Sequence, residues 1–142
     1  MNSKLEMFRA AGRKMCRRPV YGEDALQKGC KAWFDLAYPG KRLLLHHSPN
    51  EGLLPTGAIA GAKRKAMGVR AGFPDFILLC ASRKYGYHYM AIELKTATGR
   101  LSESQKAYMK AVEGAGGLYV VVRTVDDFRQ AVDDYLEGET ND

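Results

Sequence analysis

Cysteine is sparse in this chain: three in 142 residues, at positions 16, 30 and 80, with no CxxC pair among them. An odd and scattered set provides neither a disulfide framework nor the ligand spacing of a zinc site, and it predicts reduced thiols in a cytoplasmic setting. Long apolar runs are missing as well. No stretch approaches the ~20 residues of a membrane-spanning helix, and the N-terminus has no apolar core of a secretory signal. There is also no internal repeat, low-complexity tract or interdomain linker. What is left is an ordinary globular chain, expected to form one domain that buries roughly 70% of its unfolded surface.

Charge is present in quantity but unevenly placed. The net charge is +6, yet residues 1–18 carry +5, residues 126–142 carry −6 and the body between them carries +7. A basic body suits a polyanionic partner, because Lys and Arg contacts to phosphate release condensed counterions. Basic residues that merely solvate the surface are the alternative, and composition does not choose between them. The boundaries that follow are a basic N-terminal arm over 1–19, a single domain over 20–137 and an acidic tail over 138–142.

Apolar spacing organises the body. Leu26, Cys30, Trp33, Phe34 and Ala37 recur at intervals of three and four, which predicts an amphipathic helix over 22–37. Glu23 continues that stripe at the first turn, so the spacing puts an acid on the buried side; a first-turn acid favoured by the helix dipole is the alternative. Pro39-Gly40 ends the helix, residues 42–46 (RLLLH) read as a short strand, and HHSPNEGLLPTG reads as a loop. His46 and His47 would face opposite ways on a strand, leaving His47 and Asn50 as loop residues able to line a site. Residues 57–67 predict a short helix displaying Lys63, Arg64 and Lys65, and it leads into Gly68-Val69-Arg70-Ala71-Gly72, whose glycines allow unusual backbone dihedrals or close approach to a ligand.

The stretch from Gly72 to Lys95 carries the chemistry. Phe76–Cys80 and Tyr87–Leu94 read as the two strands of a hairpin turning over Ser82–Gly86, with the first strand covered on both faces. Alternation puts Glu93 and Lys95 on one face, and pairing the strands brings Asp75 beside them. Two carboxylates and an ammonium at one sheet edge suit a hard divalent ion such as Mg²⁺ or Mn²⁺ and an activated water. Ser102 and Gln105 form a capping box that opens a helix to about Glu113. Leu118–Arg123 reads as a buried strand, and Thr124 caps a last helix to about Glu137. The crossover from the second hairpin strand to 118–123 predicts a parallel pair and an α/β sandwich around a mixed sheet.

Pro74-Asp75, seventeen residues, then Glu93-Leu94-Lys95 resembles the PD-(D/E)xK nuclease motif. Glu23 on the first helix, Pro49-Asn50, G-V-R-A-G-F-P-D, I-E-L-K and S-E-S-Q together resemble the virus-type replication-repair nuclease (VRR-NUC) domain over roughly residues 20 to 125. The resemblance implies a restriction-endonuclease-like αβββαβ core with a mixed central sheet flanked by helices. It implies Asp75 and Glu93 as Mg²⁺ or Mn²⁺ ligands with the Leu94 carbonyl as a third, and Glu23 acting through water or a second metal. Lys95 would position the water, and Glu23 and Gln105 would be accessory catalytic residues. The stand-alone viral or bacterial form resembles homodimeric Holliday-junction resolvases, whereas fused forms act on flaps as monomers. The expectation is therefore a structure-selective endonuclease for branched double-stranded DNA in a bacterial cytoplasm, phage-encoded or bacterial, without nucleotide cofactor or membrane. The alternatives are a monomeric flap nuclease and a non-catalytic DNA-binding module. Lys63, Arg64, Lys65, Arg70 and Arg100, with His47 and Asn50, are the expected DNA contacts.

Overall fold

The computed structural model describes residues 22–49 and 57–139; the basic arm, Asn50 and the last three residues of the acidic tail lie outside them. Helix α1 spans Glu23–Ala37 and buries Leu26, Cys30 and Phe34, the face its spacing predicts. The strand expected over 42–46 is instead a 3-10 helix, Pro39–Leu44, followed by strand β1, Leu45–His47. Pro39 presets a helical φ for the first turn. Arg42 Nε also donates to the Asp35 carbonyl at 2.8 Å and winds the segment back onto α1. Extended backbone begins only where Leu45 pairs with Leu78.

Helix α2 (Ala58–Ala66), strand β2 (Phe76–Leu78), strand β3 (Met90–Leu94), helix α3 (Glu103–Gly114), strand β4 (Leu118–Val122) and helix α4 (Val125–Tyr135) complete the order. The sheet runs β1-β2-β3-β4, antiparallel in its first two pairings and parallel between β3 and β4. The parallel pair is joined through α3, the crossover the sequence predicts.

Strand alternation sorts the core into two layers. Phe76, Leu78, Met90, Ile92, Leu94, Leu118, Val120 and Val122 face α1 and α4, which contribute Phe34, Phe128, Val132 and Tyr135. Ala91 and Tyr119 face the other way, against Val112, Tyr108 and Met109 of α3. Glu93 shares parity with Ala91, so it belongs to the α3 face.

Both hairpin strands are shorter than predicted. Strand β2 ends at Leu78, before the exposed Leu79; it is central as predicted, with Phe76 and Leu78 buried on one face and Ile77 packed against the second cluster on the other, while β3 is buried throughout. Tyr85, Tyr87 and Tyr89 alternate like a strand, but the segment is tied to α4. Ser82 Oγ donates to the Tyr135 carbonyl at 2.7 Å, Tyr85 Oη donates to Asp134 at 2.6 Å, and Lys84 binds Asp134 and Glu137. The predicted turn over Ser82–Gly86 is present, the Ser82 N–H donating to the Tyr87 carbonyl at 2.8 Å, and the ladder with β2 begins at Met90.

Candidate active site

Phe76 lies opposite Ile92 in the β2–β3 ladder, and one further step of that register puts Asp75 opposite Glu93. Strand β3 outruns β2 here, so the N–H of Leu94 faces no β2 carbonyl. The Asp75 carboxylate takes that N–H instead, Oδ2 accepting it at 2.7 Å. On its other side the Asp75 carbonyl accepts the Ser48 N–H at 3.2 Å and the His47 Nδ1–H at 2.9 Å. The aspartate is thus fixed from both neighbouring strands. His46 is exposed and only His47 turns toward the site, as alternation requires.

Glu93 is 3% exposed and fully engaged. Its Oε1 accepts from Gln105 Nε2 at 2.5 Å and lies 3.4 Å from Lys95 Nζ, and its Oε2 accepts from the Tyr119 hydroxyl at 3.4 Å. The capping box at α3 is present: Ser102 Oγ accepts the Gln105 N–H, and Gln105 Oε1 accepts the Ser102 N–H at 2.9 Å. One end of the Gln105 amide therefore starts the helix while the other end holds the carboxylate.

Gly72 explains how the loop before Asp75 reaches that helix. Its φ is +83°, and a Cβ there would stand 2.7 Å from the Ser104 carbonyl carbon and 2.8 Å from the Gln105 nitrogen. The unusual dihedral that the sequence allows for this glycine is present, and the close approach it permits is to the first turn of α3.

Burial comes first in the electrostatics. It pushes Glu93 up to about 7, the Asp75 charge pushes in the same direction, and Lys95 and Tyr119 pull the other way. Asp75 is also raised, by burial, against the pull of the Leu94 N–H and with a further push from Glu23. The Tyr119 hydroxyl is raised by burial and then by Glu93, so it stays a donor. Two acids whose charges oppose each other around one lysine form a site with an unmet demand for positive charge.

Glu23 differs from its predicted place. It is exposed on the first turn of α1, because the helix docks into the core only from Leu26 onward. Its charge still reaches Asp75. Among the described residues no three His, Cys, Asp or Glu side chains come together as a metal set. Side chains alone therefore supply two converging oxygen donors, Asp75 and Glu93.

Arg64, Lys65 and Arg70 line a cleft of about 840 Å³ between α2 and α3, whose far wall includes Ser104 and Tyr108. Lys63, on the other side of α2, and the exposed Arg100 are not part of that lining. Two residues that support the site escaped the sequence reading. Tyr119 shares Glu93's face of the sheet, and its signal is a polar-tipped aromatic in the aliphatic run LYVVV. Arg123 donates to the carbonyls of Thr96 at 2.5 Å and Gly99 at 2.8 Å and so pins the loop after Lys95. No local signal marks it.

A model of the VRR-NUC domain family matches residues 23–126. A solved structure described as a VRR_NUC domain protein is similar to this chain at a TM-score of 0.70 and 26% identity, covering 84% of this chain and 92% of that one. No protein of curated function matches.

Proposed function

The chain belongs to the VRR-NUC family and is a nuclease of the PD-(D/E)xK type, and from that premise we propose a Mg²⁺- or Mn²⁺-dependent endonuclease that cuts branched double-stranded DNA, four-way junctions foremost, as a homodimer. One observation carries the reading: Asp75 and Glu93 stand opposite each other at the shared end of the two central strands, with Lys95 3.4 Å from Glu93. Hard carboxylate oxygens and an excess of negative charge fit a hard divalent cation. Asp75 and Glu93 would hold it with the Leu94 carbonyl, and Glu23 would add a carboxylate through water. When bound, such an ion neutralises phosphate charge and lowers the pKa of a water.

The chain's own residues do the remainder. Lys95, its stem packed against Gly99, presents an ammonium that orients the attacking water and offsets charge developing on phosphorus. Gln105 and Tyr119 keep Glu93 in one orientation, so the site is formed before substrate arrives. Arg64, Lys65 and Arg70 attract the phosphate backbone, with Lys63, Arg100, His47 and Asn50 as further contacts.

Homodimerisation is supported by exposed apolar side chains away from this pair: Leu36 at 79%, Leu43 at 97% and Leu79 at 59%. Hydrogen bonds from Arg42 to Asp35 and from Leu79 to Leu44 bring those segments together. A two-fold interface supplies the two sites that paired cuts need. A bacterial cytoplasm, reached from a phage or bacterial gene, suits the free thiols of Cys30 and Cys80. None of the described helices is long and apolar enough to cross a membrane.

The test is digestion of labelled four-way, flap and linear DNA with Mg²⁺ or Mn²⁺, alongside Asp75→Ala and Lys95→Ala, with solution mass measured in parallel. Paired cuts by a dimer, absent from both variants, support the proposal. Equal cutting by the variants removes the assigned site, and a monomer that cuts only flaps replaces the four-way assignment with the flap reading.

A further inference from the structure

The cleft between α2 and α3 is more than a basic surface. It measures about 840 Å³, and among the described residues its lining contains Arg64, Lys65 and Arg70 but no acid. That volume is within the range of ligand-binding clefts and is enough for nucleotides of a single strand. The opposite wall is α3, where Ala107 and Ala111 leave room beside the Tyr108 ring, which stands edge-on to Phe73 at 5.4 Å. Val69, 46% exposed, adds an apolar contact on the basic side. Cations facing an aromatic and small apolar residues are what an unpaired strand needs, phosphates on one side and base faces on the other.

The position of the cleft relates it to the chemistry. Gly72 and Ser104 line its end and touch each other there. Gln105, next to Ser104, holds Glu93, and Asp75 follows Gly72 by three residues. This part of the cleft wall is therefore built from the segments that carry and hold the carboxylate pair.

We propose that this cleft is a subsite for unpaired nucleotides of the substrate strand next to the scissile phosphate, so that the enzyme selects DNA in which strands separate beside the cut. The inference rests on the nuclease reading for its purpose but not for its measurement. In EDTA, the full chain is titrated by fluorescence anisotropy against a labelled blunt duplex and the same duplex carrying a short thymidine tail. The tailed duplex is expected to bind about tenfold more tightly. Ala111→Trp, which fills the cleft on an exposed helical position, and Arg70→Ala, which removes a cation, should each bring the ratio of the two affinities close to one. Circular dichroism checks that both variants fold. Equal affinity of the wild type for both duplexes, or an undiminished ratio in Ala111→Trp, overturns the inference. Cleavage of branched DNA without a tail preference sinks the subsite and leaves the nuclease reading intact. A tail preference without cleavage in Mg²⁺ or Mn²⁺ supports the subsite and counts against the nuclease.

Discussion

The Nε2 of Gln105 donates to Glu93 Oε1 at 2.5 Å while its Oε1 accepts the N–H of Ser102, so a single amide is both a helix cap and the support of an acid. The two roles separate by substitution. Gln105→Glu keeps the capping oxygen but sets a second carboxylate against Glu93, whereas Gln105→Ala removes both bonds. Loss of the box costs about 1 kcal/mol, and loss of an outer support typically lowers activity about 10- to 100-fold. Thermal melts should show Gln105→Glu near wild type and Gln105→Ala destabilised, with cleavage lost or reduced in both. Full activity in Gln105→Glu would refute the supporting role.

Lys95 is the group whose removal should separate binding from chemistry. Lys95→Met retains the apolar stem over Gly99 and loses the ammonium beside Glu93. Affinity for DNA should change little, while the single-turnover cleavage rate should fall on the order of 100-fold or more. A rate within threefold (roughly) of wild type would show that Lys95 is only an ion-pair partner.

Glu93 gives the protein a definite response to pH. Its carboxyl is raised to about 7, so the neutral form is favoured by the fold. Its contribution to stability is therefore complete below the ordinary glutamate value and is lost as pH rises through about 7. In EDTA, urea titrations at about pH 5 and about pH 8 should show wild type losing up to ~3 kcal/mol relative to Glu93→Gln. Mn²⁺ binding, which needs the ionised carboxylate, should strengthen over the same interval. Parallel pH curves for wild type and Glu93→Gln would contradict the assignment.

Tyr119 contributes a hydroxyl to Glu93 Oε2 from a position that is 1% exposed. Tyr119→Phe leaves the ring and its packing in place and removes one donor to the ionised acid. The pH midpoint of Mn²⁺ binding should move upward, with little change in melting temperature. An unmoved midpoint would reduce Tyr119 to a core residue.

Phosphate attraction should appear as a steep fall of affinity with salt. On the tailed duplex, Lys65→Ala and Arg70→Ala should each lower the slope of log K against log salt by about 0.7, for a lost single-strand phosphate contact. Lys63 and Arg100, which do not line the cleft, are expected to contribute less. Equal slopes for all four alanine variants would show that the cleft has no special part in binding.

Much of this site was legible because alternation is a rigid rule. Placing Glu93 and Lys95 on one face needed only their spacing, and placing Asp75 opposite Glu93 needed only the pairing of β2 with β3. The capping box was equally local, three residues apart. What was hidden depends on contacts distant in sequence. Tyr87 and Tyr89 alternate like strand residues, yet the strand begins only at Met90, and the turn before them is tied by Ser82 and Tyr85 to Tyr135 and Asp134 near the C-terminus. Arg123 holds a loop 24 and 27 residues away. Glu23 fits the helical stripe, but periodicity does not say at which turn a helix begins to dock. The 3-10 turn at Pro39 likewise overrode an apolar run that alone reads as strand.

In the proposed reaction the phosphodiester is hydrolysed at the Asp75–Glu93 pair, at the shared end of β2 and β3. Asp75→Asn tests it most directly, since an amide oxygen at this position still accepts the Leu94 N–H and so preserves the fold while removing the charge. The measurement is the single-turnover cleavage rate of a labelled four-way junction in Mn²⁺ at about pH 8, with melting temperatures recorded beside it. An unchanged fold and a rate lower by on the order of 1,000-fold or more are expected. A folded Asp75→Asn variant that cuts at the wild-type rate would contradict that placement.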